Sequence, residues 1–118
     1  MKVKLESAHR GSMLIASLSG ELDDHEADTV RTILDREMEK SGAKRLVLDL
    51  ADLTFMDSSG LGVILGRYRK LKAQGGQMAI ANVSPTVSKL FEISGIRKIM
   101  TVYRKREDAV HALKEEAL

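Results

Sequence analysis

The run Asp57-Ser58-Ser59-Gly60 sets one carboxylate and two hydroxyls where a strand and its loop give way to a helix. Capping alone accounts for such residues, because Asp and Ser oxygens accept from first-turn N–H groups that lack a carbonyl partner. An exposed hydroxyl at a helix N-terminus has three further uses. As a nucleophile it belongs in a G-x-S-x-G elbow with a histidine base. Here Asp57 stands where Ser59 needs the first glycine, Met56 stands where Ser58 needs it, and no histidine is close in sequence. As part of a phosphate cradle it belongs in a glycine-rich loop ending Gly-Lys-Ser/Thr, and Gly60-Leu61-Gly62 falls short of that pattern. As an acceptor of a phosphoryl group it gains about −1.5 to −2 charges, enough to change a docking surface without unfolding the domain. A phosphate there is favoured by the helix dipole and free N–H groups and opposed by nearby acids; the sequence leaves that balance open.

The elements that hold this run follow from periodicity. Residues 3–9 and 13–19 alternate as two strands joined by a turn at Arg10-Gly11-Ser12, with Gly20 expected to break the second. Asp23 followed by Glu26 resembles a capping box for a helix over 24–40, with Ala27, Val30, Ile33, Leu34 and Met38 at helical spacing and Gly42 as its stop. Residues 45–50 form a buried strand, 51–58 a loop, and 59–74 the second helix. A strand over 77–83 follows. Ser84-Pro85 is a cap and first-turn proline for a third helix closed by Ser94-Gly95. A last strand over 99–103 and a helix from 107 complete a ββαβαβαβα order. Alternating strands and helices imply an α/β fold with a mainly parallel sheet, an N-terminal antiparallel hairpin strand and about four helices.

The second helix carries an anomaly. Leu61, Ile64, Leu65, Tyr68 and Leu71 form its expected core face, which leaves Ser59, Gly62, Val63, Gly66 and Lys70 on the opposite side. Glycine inside a helix costs about 0.8–1 kcal/mol relative to alanine. Small residues and one outward valine suit a surface approached closely, either by a partner or by another helix of the same domain. Phe55 and Met56 are expected to anchor the preceding loop in the core. Arg67, Arg69, Lys70 and Lys72 read as a basic patch or a solvated face, with Lys72 laid along the apolar arc. His25 reads as a surface residue, and Arg104-Lys105-Arg106 as a solvated turn.

Composition excludes other chemistry. With 118 residues the chain suits one domain. It has no cysteine, so disulfides, thiolate catalysis and zinc–thiolate sites are absent. His9, His25 and His111 lie far apart, so no metal site is assigned; no cofactor and no catalytic residue is assigned either. No apolar run nears the ~20 residues that span a bilayer, and no signal peptide is seen, so a cytoplasmic protein without membrane contact is expected. Net charge is +2 but uneven: residues 1–60 carry eight basic and twelve acidic side chains, residues 61–118 eleven and five. With four aromatics and no basic sheath, direct nucleic-acid binding is not expected.

The stretch 53–68, with Asp57-Ser58-Ser59-Gly60 at its centre, resembles the STAS domain family when joined to Gly20-Glu21-Leu22-Asp23, Ser84-Pro85, Leu90-Phe91 and Ser94-Gly95. More narrowly it resembles the anti-sigma factor antagonists, and most closely those of sporulation. The resemblance implies a STAS domain over 1–118. It marks Ser58, directly after the aspartate, as the phosphorylation site, and places Asp23 near it. Relatives often have histidine after that second aspartate; this chain has Asp24, then His25. With the small-residue face added, the expected partner-binding surface is Asp23, Asp57, Ser58, Ser59, Gly62, Val63 and Gly66. The implied function is a binding switch and not an enzyme. The unphosphorylated form binds an anti-sigma factor that is also a serine kinase and carries the ATP or ADP, so a sigma factor is freed. Phosphorylation of Ser58 ends the complex, and a serine phosphatase restores it. The alternative is a STAS-type scaffold subunit of a stress-signalling or transporter assembly in which Ser58 is never modified.

Overall fold

Short runs of β-branched and leucine residues fold into β1 (Lys2–Ala8), β2 (Met13–Leu22), β3 (Arg45–Met56), β4 (Gln77–Ala81) and β5 (Val102–Tyr103). The computed structural model describes residues 1–116, with side chains through Leu113. The strands lie in sequence order, β1 antiparallel to β2 and every other pair parallel. Parallel neighbours need crossovers, supplied by α1 (Ala27–Ser41), α2 (Ser58–Ala73) and α3 (Pro85–Ser94); α4 (Arg106–Glu116) follows the last strand. The order ββαβαβαβα and the antiparallel hairpin strand are as expected.

Alternation along the strands splits the core in two. Leu14, Ala16, Leu18, Leu46, Leu48 and Ile80 face α1, α2 and α3, where Val30, Leu34, Ile64, Val87 and Phe91 close the layer. Met13, Ile15, Val47, Ala79 and Ala81 face the other way, under Ala109 and Leu113 of α4. α3 starts as read: the Ser84 hydroxyl accepts from Val87 N–H, Pro85 takes the first turn, and Gly95 ends the helix at φ 75°.

Several boundaries differ from the sequence reading. β2 does not stop at Gly20 but runs to Leu22, because Gly20 adopts φ 104° and the register on β3 slips on either side of it. β3 continues through the expected loop to Met56, pairing Leu53, Phe55 and Met56 with the lengthened β2. α1 begins at Ala27, after a turn over 23–26, and β4 ends at Ala81 where Asn82 takes φ 60°. Residues Ile96–Lys98 form a 3-10 turn, and the strand expected over 99–103 shrinks to the two residues of β5.

The largest correction concerns Arg106. Read as part of a solvated turn, it instead spans three strands. Its Nε donates to Asp49 at 2.9 Å, Nη1 to Glu6 at 3.0 Å, and Nη2 to Ser17. Asp49 is the one buried acid among the described residues, and it also accepts from Asn82 Nδ2 and from Ala51 N–H. Burial pushes its carboxyl up, yet the bonds from Asn82, Ala51 and Arg106, with the Arg106 charge, hold it below its ordinary value of 3.8. A lowered folded-state pKa contributes stability that is complete above the unfolded value and is lost as pH falls through the folded one. Asp49→Asn is therefore expected to cost about 2–3 kcal/mol at neutral pH, less than a fully buried pair because Arg106 keeps some exposure. The deficit should shrink near pH 3; urea melts at both pH values check this.

Candidate functional site

Asp57 stands at the junction of two loops. Its backbone is extended, at φ −112° and ψ −170°, so its side chain can fold over the first turn of α2. Oδ1 accepts from Ser59 N–H at 2.9 Å and from Gly60 N–H at 3.2 Å. Oδ2 accepts from Asp24 N–H at 3.1 Å, and the Asp57 N–H donates to Leu22 O at 3.4 Å. One residue thus caps α2 and ties it to the segment after β2. Ser59 completes the tie by donating its hydroxyl to Asp24 Oδ1 at 3.1 Å.

Ser58 is the first residue of α2 and is exposed. Among the described residues nothing hydrogen-bonds its hydroxyl. The two hydroxyls of the run are therefore divided: Ser59 braces the loops, and Ser58 faces outward. The free first-turn N–H groups expected to favour a phosphate are partly taken, since those of Ser59 and Gly60 already serve Asp57. Charge added at Ser58 adjoins Asp57, whose carboxylate caps the same turn, and lies one residue from Ser59, which holds Asp24.

Asp23 turns its carboxylate onto its own loop, where Oδ1 accepts from His25 and Glu26 N–H. The residue that touches the serine run is Asp24. Its signal in the sequence was the second acid of Asp23-Asp24. His25 is exposed, as read. Asp24 and Asp28 line the groove that ends at Ser59 and Gly62, with Arg31 there paired to Asp28 at 2.7 Å, which leaves Asp24 as its unneutralised acid beside the serine run.

The glycine face divides. Val63 is not outward: it is 6% exposed and joins the core with Val30 and Leu34 of α1, because α1 packs on that side of α2. Leu61, Leu65 and Tyr68 are correspondingly only half-buried. Gly62 is exposed, and a Cβ built on Gly62 or Gly66 meets nothing within 4 Å. Packing within the domain therefore explains neither glycine. Gly62→Leu should leave the thermal melt intact or slightly raised, through helix propensity, and should weaken partner binding at least tenfold by its bulk. A titration beside the melt checks both.

Two further residues, Phe55 and Arg67, sit differently from the reading. Met56 is buried, but Phe55 is 39% exposed at the end of β3. Arg67 leaves the basic patch: its Nε lies 2.9 Å from Asp35 of α1, with Lys70 Nζ at 3.8 Å from the same oxygen. Lys72 is exposed, its Nζ 6.0 Å from the Tyr68 ring centre. No helix among the described residues is long and apolar enough to cross a membrane.

Comparison with known proteins agrees with this geometry. The STAS domain family profile matches residues 4–109. An anti-sigma F factor antagonist from Paenibacillus polymyxa is 45% identical over 115 residues, covering 98% of this chain and 96% of that one. The solved structure of the anti-sigma factor antagonist SpoIIAA in its unphosphorylated form superposes with TM-score 0.83 at 32% identity, covering 97% of each chain. The structure of the Bacillus cell fate determinant SpoIIAA in its phosphorylated form gives TM-score 0.73 at 32% identity, covering 94% of this chain and 98% of that one. With its strand order, its capped serine run and these relatives, the chain belongs to the STAS domain family, among the anti-sigma factor antagonists.

Proposed function

We propose that this protein is a phosphorylation-switched antagonist of an anti-sigma factor, acting by binding and not by catalysis. The observation that carries the reading is the exposed hydroxyl of Ser58, held at the start of α2 by an aspartate that has already taken the neighbouring N–H groups. Unmodified, the surface of Asp57, Ser58, Ser59, Gly62 and Gly66, with Asp24 and the Asp23 turn at its edge, receives an anti-sigma factor with serine kinase activity. That capture frees a sigma factor. The partner, not this chain, binds ATP. Its γ-phosphoryl group passes to Ser58 Oγ, ADP is left on the partner, and the hydroxyl proton leaves to a partner base.

The modified form separates for a physical reason. A doubly charged group in the interface loses its water and gains little from its own helix, since the Ser59 and Gly60 N–H groups already serve Asp57. It also adds to the charge of Asp57 and of Asp24, which Ser59 holds one residue away, so a partner surface matched to the unmodified site meets excess negative charge. A serine phosphatase then regenerates the binding form. In this reading the protein works in the cytoplasm and in sporulation; the similarity to an anti-sigma F factor antagonist supports a sigma-factor setting.

The test is to incubate the protein with its cognate anti-sigma factor and ATP and record the intact mass. One added phosphate, mapped to Ser58 by fragmentation, is expected, together with loss of the complex on a sizing column. A stable complex with unmodified Ser58 would instead favour a scaffold role.

A further inference from the structure

The geometry points to a small-molecule site between the C-terminal halves of α1 and α2, taking a compact apolar guest with one carbonyl or carboxylate oxygen. A cavity of about 200 Å³ opens there. Its floor is apolar: Met38 from α1, Ala43 from the loop after α1, Leu46 from β3, and Leu71 from α2. Cavities of roughly 150 Å³ lined by aliphatic side chains hold benzene, so this one admits a substituted ring or a branched chain of similar size.

The rim adds direction. Asp35 and Glu39 of α1 face Arg67 and Lys70 of α2, so the mouth is balanced in charge. Arg67 is 12% exposed, and its Nε is paired with Asp35. That contact is an ion pair by distance only, and neither Nε nor Nη1, both buried, has a hydrogen-bond partner among the described residues. A buried guanidinium N–H with no acceptor is costly, and a charged donor makes a stronger bond than a neutral one. A guest that lays its hydrocarbon on Met38, Leu46 and Leu71 and offers an oxygen to Nη1 satisfies both walls of the cavity. Arg67 lies nine residues from Ser58 along α2, about 13 Å at the helical rise, so the guest leaves the serine run uncovered.

Three probes test the site: benzamide, benzoate, and benzene as the ring without an acceptor. Each is titrated into methyl-labelled protein and followed by NMR. Benzamide or benzoate should shift the Met38, Leu46 and Leu71 methyl signals saturably, at least fivefold more tightly than benzene. Preference for benzoate identifies an anion as the guest, and preference for benzamide a neutral carbonyl compound. Ala43→Leu, which fills the floor, should abolish the shifts. Arg67→Lys, which keeps a cation beside Asp35 but removes Nη1, should erase the advantage over benzene. No saturable shift at these methyls with either oxygen-bearing probe would overturn the proposal. Benzene binding as tightly as benzamide and benzoate would overturn the role of Arg67 and with it the stated ligand class.

Discussion

Ser58→Asp is expected to weaken the complex with the anti-sigma factor at least tenfold, and enzymatic phosphorylation at least a hundredfold, about 2.8 kcal/mol. Neither change should move the melting temperature by more than a few degrees. The two expectations come from the same geometry. Ser58 is exposed, so the domain has no packing to lose there. A carboxylate in the first helical turn gains slightly from the dipole and loses slightly to Asp57 and Asp24, whose oxygens stay committed to Ser59, Gly60 and the loop. The interface has no such balance, since the partner must meet the added charge after water has been removed. Ser58→Ala should melt like the parent, bind the partner and remain bound in ATP. Isothermal titration and thermal melts on the three forms read the result. A Ser58→Asp protein that binds as tightly as the parent would refute the charge mechanism, and phosphate appearing on Ser58→Ala would move the site.

Gly60→Ala is expected to destabilise the domain by about 3 kcal/mol or more, a cost at the upper end of overpacking. A Cβ at this position falls 2.6 Å from Leu22 O, 2.8 Å from Leu22 Cγ and 2.8 Å from Met56 Cγ. The side chains have some room to adjust, but the carbonyl belongs to the end of β2, where it accepts from Asp57 N–H. Relief requires lifting the first turn of α2 off the sheet, and that turn carries the bonds from Ser59 and Gly60 to Asp57. Loss of stability and loss of binding should therefore appear together, unlike at Gly62, where Cβ enters open space. Chemical denaturation of Gly60→Ala beside Gly62→Ala makes the comparison at constant chemistry. Equal melting of the two would mean that α2 can shift without cost.

What the sequence showed of this site was set by short-range chemistry. The Asp57 cap, the Ser84 cap and the glycine stops are local, because each depends on residues within one turn. The strand–helix order was equally legible, because apolar spacing reports which face is covered. What covers that face is a different matter. Val63 was placed outward because helical phase gives an angle but not a neighbour, and α1 approaches from the side that the leucine count left open. Gly60 passed unnoticed beside Gly62 because nothing in its flanks reveals the carbonyl of Leu22, thirty-eight residues earlier. The continuation of β2 and β3 was hidden for a similar reason. Gly20 ordinarily weakens a strand, and only the slipped pairing against β3 shows that it bends this one and lets it continue. Arg106 was unreadable in principle: its three partners lie at positions 6, 17 and 49.

That last arrangement has a consequence for the order in which the chain matures. The hairpin of β1 and β2 and its pairing with β3 use residues made in the first half of synthesis. The acid at Asp49 and the acid at Glu6 must wait for a cation encoded near the other end. Until residue 106 has been made, the far side of the growing sheet holds a carboxylate without its arginine and an apolar strip without α4. The nascent protein at that stage has its three leading helices and the serine run, but only one finished face. Closing the second face joins the sixth residue to the hundred-and-sixth, the kind of long loop whose entropy is recovered last.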